Sequence, residues 1–171
     1  MKDETGYCYQ CGSALEKRLL ENRQRESCPA CGWIHYRQLK VAAAALIEEQ
    51  GKLLLLQRAQ PPWQGCWNLP AGYVEVDEDP ARAAERETQE ECGLLVEAIQ
   101  LLDALFFDDD PRGNGLLLVY RCRARGGKLQ SSSEAPQLGF FSTKDLPEPL
   151  TGAGHSQVIQ NWSQGRYPEA K

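Results

Sequence analysis

The sequence predicts an α/β domain, in which helices pack on a mixed β-sheet, preceded by a small ribbon that a metal ion stabilises. Three observations lead to this prediction. Two Cys-x2-Cys pairs lie near the start of the chain, apolar runs of strand length follow from residue 40, and two segments have helical patterns. The 171 residues suffice for one domain with an appendage. We expect the ribbon to cover residues 1–37 and the main domain residues 38–171.

The composition is that of a folded protein. Hydrophobic residues make up 42% of the chain and charged residues 25%, which is enough apolar material for a core. The net charge of −5 argues against a nucleic-acid binder, whose surface is basic. The longest apolar stretches are too short to cross a bilayer, and the first ten residues contain no apolar signal core. We therefore expect a cytoplasmic protein that does not bind membranes.

The cysteine spacing predicts a zinc site in the ribbon. The site would use Cys8, Cys11, Cys28 and Cys31, whose two pairs are separated by 16 residues. Four thiolates fill the tetrahedral coordination of Zn²⁺ and leave no open position, so this zinc would be structural. Two disulfides are the alternative and would require an oxidising compartment. A redox-active pair would require a strand-to-helix context that the segment lacks.

The first strands of the main domain are predicted from residues 40–76. Residues 40–58 contain two apolar runs, one on each side of Gly51, and this pattern indicates an antiparallel hairpin. Residues 66–76 are apolar but are interrupted by Pro70 and Gly72, so we expect a strand that runs into a loop.

A helix over residues 79–93 follows. Asp79 is a candidate N-cap, Pro80 suits the first helical position, and Gly93 is a stop signal. The remaining elements are apolar strands and a final helix. We expect strands over 94–107, 115–124 and 137–142, a flexible loop over 126–134, and a helix over 155–165.

Three glutamates on the predicted internal helix form the strongest candidate for a functional site. Glu87, Glu90 and Glu91 are spaced so that their carboxylates share one helix face, where like charges repel. A hard cation such as Mg²⁺ would remove this repulsion. Arg86 precedes Glu90 by four positions and can pair with it. The alternative is a solvated acidic face, but the glycine-bearing turn at Gly72 favours a pocket for Mg²⁺ and a phosphate ester.

The segment around this helix resembles the Nudix box, G-x5-E-x7-R-E-U-x-E-E-x-G-U, in which U is usually aliphatic. The residues in register are Gly72, Glu78, Arg86, Glu87, Glu90, Glu91, Gly93 and Leu94. Thr88 stands at the first aliphatic position and is the one departure. Flanking segments are also similar, so that the resemblance extends over about residues 38–150.

The resemblance implies a Nudix hydrolase, with an α/β/α sandwich fold and a mixed sheet. Such enzymes cleave a diphosphate within a nucleoside diphosphate linked to another group. The implied ligands of Mg²⁺ or Mn²⁺ are Glu87, Glu90, Glu91 and the carbonyl of Gly72. Arg86 would orient Glu90, and Glu78 would be a structural anchor or a group in the outer shell of the metal.

The resemblance leaves the general base open. A glutamate would take the proton from the attacking water, and Glu90 or Glu91 are the candidates within the box. Many family members place a further glutamate in a loop before a strand of the "FF" type, and Glu134 is the only acid in that region of this chain.

The resemblance also limits the substrate class. Zinc ribbons precede the Nudix domain in NADH pyrophosphatases, but the motif S-Q-P-W-P-F-P-x-S of those enzymes is absent here. Residues 28–41 and 61–76 resemble the corresponding segments of ribbon-bearing Nudix proteins related to plant FAD and ADP-ribose pyrophosphatases. The resemblance therefore implies ADP-ribose or FAD as substrate, and a homodimer. The alternatives are an NADH pyrophosphatase, or a Nudix and zinc-ribbon module that senses nucleotides or recruits nucleic acid.

Three residues outside the helix are candidates for substrate binding. Trp63 and Tyr73 could stack on a base or flavin ring, although packing would equally explain each of them. Arg58 could reach a phosphate, although a surface ion pair would explain it as well. For His155, at the start of the last predicted helix, we expect a structural role.

Overall fold

The computed structural model describes residues 6–167. Contacts divide the chain into two compact units, one ending at Gln38 and the other beginning at Leu39. No helix in the described part of the chain is long and apolar enough to cross a membrane.

The first unit is a small three-stranded antiparallel sheet. Its strands are β1 (Glu16–Leu20), β2 (Arg23–Ser27) and β3 (Ile34–His35), in that spatial order. The sequence analysis predicted no strands here. Both faces of β1 are largely exposed, so the alternation of apolar and polar residues that identifies a half-buried strand is missing. Among residues 6–38, the buried apolar residues are only Cys8, Leu15 and Cys28, with Trp33 packed against them.

The predicted hairpin opens the second unit. It consists of β4 (Lys40–Glu49) and β5 (Lys52–Gln57), which pair antiparallel with Glu49 opposite Lys52. Gly51 has a φ of +71°, a left-handed conformation that glycine adopts without steric cost.

The next segment forms two short strands rather than the single strand predicted. The first, β6 (Trp67–Asn68), pairs with β5, and the second, β7 (Ala71–Tyr73), pairs with β4. Pro70 lies between them and has no N–H to donate to a continuous ladder. The register of β7 sets Gly72 opposite Ala43 of β4.

The internal helix α1 (Pro80–Cys92) has the predicted caps. The Asp79 carboxylate accepts a hydrogen bond from the Ala81 N–H at 2.8 Å, and Gly93 has a φ of +76° at the C-terminus. The buried residues of the helix are Ala83, Ala84, Thr88, Glu91 and Cys92.

The remaining elements are β8 (Leu94–Phe107), β9 (Gly115–Gly127), β10 (Gln137–Phe141) and α2 (His155–Ser163). The main sheet has the order β10-β5-β4-β9-β8, with β6 and β7 attached to β5 and β4. Strands β4 and β9 are parallel and β8 and β9 are antiparallel, so the sheet is mixed, as predicted.

A helix packs on each face of this sheet. Ala43, Ala45 and Ile47 of β4 belong to the core beneath α1. Ala44 and Leu46 point the other way, into the core that contains Val158, Ile159 and Trp162 of α2. Because successive side chains of a strand point to opposite faces, burial on both faces explains why β4 is an almost continuous apolar run. The predicted α/β/α architecture is confirmed.

Candidate active site

The four cysteines of the first unit form a group that fits a zinc ion. Their sulfur atoms all lie within 4.8 Å of one another, with 3.6 Å between Cys8 and Cys31 and 3.4 Å between Cys11 and Cys28. Four thiolates at the usual Zn–S distance of about 2.3 Å are separated by roughly 3.8 Å. The sulfurs are too far apart for disulfides, so the donor set matches a closed, tetrahedral zinc site.

Two matching turns place these cysteines. The N–H of Gly12 donates to the carbonyl of Cys8 at 2.9 Å, and the N–H of Gly32 donates to the carbonyl of Cys28 at 3.0 Å. Both glycines have positive φ, +73° and +78°. Each Cys-x2-Cys pair therefore folds into the same tight turn, with its two sulfurs on one side.

In the second unit, the strand β7 lies against the acidic face of α1. A Cβ atom on Gly72 would lie 2.0 Å from a carboxylate oxygen of Glu87, so only glycine leaves room for this carboxylate. The Ala71 N–H donates to Glu91 at 3.0 Å. Two carboxylates of α1 are thereby held against the backbone of residues 71–72, where the sequence predicted a metal site.

Burial changes the acidity of both carboxylates. Glu91 is 8% exposed, and desolvation raises its pKa to about 8, with the negative charge of Glu87 acting in the same direction. Desolvation also raises the pKa of Glu87. A cation bound between such oxygen atoms would replace the lost hydration, and the donor set therefore fits Mg²⁺ or Mn²⁺.

Arg86 joins the helix to the loop before it. Its guanidinium donates to both oxygens of Glu78 at 2.9 Å, to Glu87 at 2.6 Å, to Glu90 at 3.0 Å and to the carbonyl of Tyr73 at 3.1 Å. The hydrogen bonds from Arg86 lower the pKa of Glu78. The predicted contact of Arg86 with Glu90 is thus present, and Arg86 also binds Glu78.

A cavity of about 250 Å³ opens beside this cluster. It brings together most of the residues that the sequence singled out. Among the residues that line it are Arg58, Trp63, Gly72, Tyr73, Glu87, Glu91 and Glu134. Glu90 is not among the lining residues. Its side chain is 59% exposed and its carboxylate is turned towards Arg86.

The glutamates do not form a compact group. Among residues 6–167, the cysteine cluster is the only group of three or more His, Cys, Asp or Glu residues with ligand atoms all within 4.8 Å of one another. Like charges repel in this partly buried region, and Arg86 holds Glu90 away from the cavity.

Two loops complete the acidic end of the cavity. The carbonyl of Glu134 accepts a hydrogen bond from the Ala59 N–H at 2.9 Å, which fixes the loop between β9 and β10 beside the loop that follows β5. In that second loop, Arg58 Nε donates to the carbonyl of Pro62 at 3.2 Å. The charges of Arg58 and Glu134 both affect the pKa of Glu91, in opposite directions, which places all three in one electrostatic environment.

Tyr73 packs beneath two cationic side chains. The Lys40 ammonium lies 5.4 Å and the Arg112 guanidinium 5.5 Å from the centre of its ring, within the range of cation–π attraction. Asp110 holds Arg112 through both carboxylate oxygens, with a shortest distance of 2.7 Å. The side chains of Lys40 and Arg112 therefore cover part of the Tyr73 ring, although Tyr73 also lines the cavity.

Asp110 and Arg112 line the cavity, and the sequence analysis gave no role to either of them. His155, for which a structural role was expected, also lines it. In the fold Asp110 is 5% exposed and His155 is 8% exposed. No local pattern identifies them, because tertiary contacts between distant segments bury them.

Comparisons with known proteins agree with this geometry. The model of the Nudix domain family matches residues 36–162, and that of the Nudix N-terminal zinc ribbon matches residues 6–37. An ADP-ribose pyrophosphatase from Methanocaldococcus jannaschii is 34% identical over 158 residues, which are 90% of this chain and 89% of that protein. The 8-oxo-dGDP phosphatase NUDT18 of Mus musculus is 35% identical over 114 residues, 64% of this chain and 34% of that protein.

A solved structure has the same fold over nearly the whole chain. The Nudix hydrolase from Nitrosomonas europaea superposes with a TM-score of 0.82 and 27% identity, covering 94% of this chain and 92% of that one. Together with the family matches, the paired cysteine turns and the glutamate-bearing helix against Gly72, this similarity shows that the chain belongs to the Nudix hydrolase family and carries the family's N-terminal zinc ribbon.

Proposed function

We propose that this protein is a Mg²⁺-dependent diphosphatase that hydrolyses a nucleoside diphosphate linked to another group, with ADP-ribose or FAD as the substrate. The observation that carries the proposal is one cavity lined by Gly72, Glu87 and Glu91 together with Arg58 and Glu134. The relative from Methanocaldococcus jannaschii, named an ADP-ribose pyrophosphatase, supports this choice of substrate. FAD shares the adenosine diphosphate part of ADP-ribose.

The cation would be held by Glu87, Glu91 and the carbonyl of Gly72. Glu90 lies one helical turn after Glu87 on the same face and would join this set when it leaves Arg86. When bound, Mg²⁺ or Mn²⁺ supplies positive charge that stabilises the negative charge developing on the diphosphate oxygens. Arg86 positions Glu87 and Glu90 through the hydrogen bonds described above.

The other residues of the cavity would bind the substrate and move the proton. Arg58 would donate hydrogen bonds to a phosphate, and Trp63 and Tyr73 would flank the organic part of the substrate. A water oxygen bonds to one phosphorus while the bond from that phosphorus to the bridging oxygen breaks, and the second phosphate leaves with the electron pair. Glu134, which lines the same cavity, would accept the proton of the water. Glu90 and Glu91 are the alternative bases.

The decisive experiment is product analysis. The purified protein is incubated with Mg²⁺ and, separately, with ADP-ribose, FAD, NADH and nucleoside triphosphates, and the products are separated by chromatography. We expect AMP and ribose 5-phosphate from ADP-ribose, or FMN and AMP from FAD. Turnover of triphosphates alone would overturn the proposed substrate class. Tight nucleotide binding without turnover would instead favour a sensing module.

Variants separate the roles of the carboxylates. For Glu134→Gln we expect kcat to fall by about a hundredfold or more, with KM nearly unchanged, because proton transfer is lost but the cation site remains. For Glu91→Gln we expect the Mg²⁺ concentration for half-maximal activity to rise. Full activity of the Glu134→Gln variant would show that Glu134 is not the general base and would leave Glu90 and Glu91 as the candidates.

The zinc ribbon, the location and the oligomeric state complete the proposal. Zinc would have a structural role, because its four thiolates leave no open coordination position. We propose a cytoplasmic enzyme and a homodimer. Size-exclusion chromatography with light scattering tests the dimer, and a monomeric mass at micromolar concentration would contradict it.

A further inference from the structure

Arg112 is a second arginine at the cavity, and a buried carboxylate holds its guanidinium. The residue lies in the loop between β8 and β9 and lines the cavity together with Asp110. Its Nε and Nη2 atoms donate to the two oxygens of Asp110 at 3.0 and 2.7 Å. The Asp110 side chain is buried, whereas that of Arg112 is 41% exposed. One edge of the guanidinium is therefore bound to the protein, and the side chain remains accessible to a ligand.

Stability does not explain this pair. Taking two opposite charges out of water costs about as much as their attraction returns. Desolvation opposes the ionisation of Asp110, but the hydrogen bonds from Arg112 and the charges of Arg112 and Lys40 lower its pKa overall. The three side chains are thus charged and together carry a net positive charge. What the pair supplies is orientation, because a bidentate contact fixes the plane of the guanidinium.

Contacts with β4 and β7 hold the loop of Arg112 before any ligand binds. The Lys40 N–H donates to the carbonyl of Asn114 at 3.2 Å, and the Lys40 ammonium donates to the carbonyl of Arg112 at 2.8 Å. The Arg112 guanidinium lies 5.5 Å from the centre of the Tyr73 ring. Tyr73 directly follows Gly72, whose carbonyl belongs to the proposed cation site. A donor that is already held in position loses little freedom when it binds a ligand.

The charges around the cavity indicate what Arg112 binds. Among the described residues, the lysines and arginines that line the cavity are Arg58 and Arg112. The carboxylates of Glu87, Glu91 and Glu134 line it as well, and the proposed cation would offset their charge. The two arginines then remain for the substrate. Each phosphate of a diphosphate diester carries one negative charge, so two arginines match a diphosphate.

We propose that Arg112 binds the diphosphate of the substrate through its guanidinium, and that Asp110 is the residue that positions this guanidinium. Arg58 and Arg112 then bind one phosphate each, since the planar guanidinium fits phosphate oxygens. This inference rests on the proposed function, because it assigns residues to the diphosphate of the same substrate. The contact is present in the bound substrate and persists in the transition state, so that it contributes to binding rather than to the chemical step.

The test combines kinetics with ADP-ribose and calorimetry with ADP, both in the presence of Mg²⁺. Arg112→Gln removes the charge, Arg112→Lys keeps the charge without the planar group, and Asp110→Asn removes the charge that holds the guanidinium. Arg125→Gln is the matched control. Arg125 is bound to Glu97 between β9 and β8, and it is not among the residues that line the cavity.

For Arg112→Gln we expect KM for ADP-ribose to rise, and the affinity for ADP to fall, by about tenfold to a hundredfold, the size of a charge-assisted hydrogen bond. We expect kcat to change by less than about threefold and the Mg²⁺ concentration for half-maximal activity by less than about twofold, because the cation site is intact. Arg112→Lys should recover part of the affinity. Asp110→Asn should weaken ADP binding by about threefold to tenfold, and the control should match the wild type.

A purely structural role of Arg112 would give a different result. If Arg112 acted only by holding Tyr73, and through it Gly72, then kcat and the Mg²⁺ requirement would change together with KM. That outcome would overturn the proposal. An Arg112→Gln variant with the KM and the ADP affinity of the wild type would overturn it as well. If Arg112→Gln does not fold, Arg112→Lys decides, and a KM equal to that of the wild type would count against the proposal.

Failure of this inference can be distinguished from failure of the proposed function. Turnover of ADP-ribose that does not depend on Arg112 would overturn the inference and leave the enzyme standing. ADP binding that weakens in Arg112→Gln, without turnover of any substrate, would support the binding role and overturn the enzymatic proposal. A wild type that neither hydrolyses ADP-ribose nor binds ADP would overturn both.

Discussion

Glu91 is the residue at which stability and the proposed function oppose each other. The fold buries its carboxylate, and desolvation raises its pKa to about 8. A buried carboxylate is unfavourable for folding, but the same position beside Gly72 would supply an oxygen ligand for the proposed cation. The Ala71 N–H, 3.0 Å away, offsets only part of the cost.

We predict that Glu91→Gln stabilises the Mg²⁺-free protein at pH 7 and reduces activity. The folded state holds the Glu91 proton to about pH 8, whereas the unfolded state releases it near pH 4.3. Unfolding therefore releases a proton between these values, and wild-type stability falls as the pH rises through this window. The gain at pH 7 should be on the order of 1–3 kcal/mol and should vanish near pH 4.

Urea unfolding of the wild type and of Glu91→Gln between pH 4 and 8 measures this effect. Glu90→Gln is the matched control, because the Glu90 side chain is 59% exposed, and its free energy of unfolding should change by less than about 0.5 kcal/mol. A Glu91→Gln variant that is less stable than the wild type at pH 7 would contradict the prediction.

Gly72 shows how a missing side chain can be part of a site. The position is occupied by the Glu87 carboxylate, 2.0 Å from where a Cβ atom would stand. We predict that Gly72→Ala displaces this carboxylate and lowers kcat/KM by about tenfold to a hundredfold, since misplacement by about 1 Å is costly in catalysis. Gly126→Ala is the control, because its nearest atom would be 3.9 Å away. Equal activity of the two variants would show that the Glu87 position is unimportant.

At the scale of elements, Arg86 connects α1, β7 and the loop that precedes the helix. Its guanidinium donates hydrogen bonds simultaneously to Glu78, Glu87, Glu90 and the carbonyl of Tyr73. A lysine has a single ammonium group and cannot hold these partners in a plane. The position of α1 relative to β7 therefore depends on this one side chain as well as on its apolar packing.

We predict that Arg86→Lys lowers both the melting temperature and kcat, the latter by about tenfold or more, because Glu87 and Glu90 lose their alignment. Arg82→Lys is the matched control on the same helix. The Arg82 side chain is 76% exposed and bonds only to Glu85 among the hydrogen bonds described. Thermal melts and steady-state kinetics are measured for both variants. A kcat of Arg86→Lys equal to that of the wild type would refute the positioning role of Arg86.

At the scale of the molecule, the protein has two compact units with different sources of stability. The second unit is built around a sheet with apolar cores on both faces. Within residues 6–38, the first unit buries only Cys8, Leu15 and Cys28 among its apolar residues. A core of that size is too small to stabilise a fold alone, so the ribbon would require the proposed zinc ion.

We predict that Cys28→Ser removes zinc and unfolds the first unit while the second unit remains folded. The zinc content should fall from one ion per chain to near zero, and the amide NMR signals of Trp33 should lose their dispersion. Signals from the sheet of the second unit should remain in place. Cys66→Ser, in the second unit, is the control and should retain zinc. Retention of one zinc per chain in Cys28→Ser would contradict the proposed ligand set.

Local patterns in the sequence determined the zinc ligands, the caps of α1, the hairpin of β4 and β5, and the glutamate-bearing helix. The caps and the acidic helix face depend on residues close together in the chain, such as Asp79 with Ala81 or Arg86 with Glu90. Their spacing along the helix fixes which of these groups can meet. The strands of the ribbon were missed because exposure on both faces leaves no periodic pattern.

Tertiary structure alone decided which residues share the cavity. Asp110 and His155 come from segments that no local rule connects to Gly72, and their burial results from contacts across the sheet. The same holds for Glu90, which the spacing grouped with Glu87 but which Arg86 turns towards solvent. Burial and charge balance arise only when distant segments meet, and they set the acidity and the hydrogen-bonding capacity of each side chain.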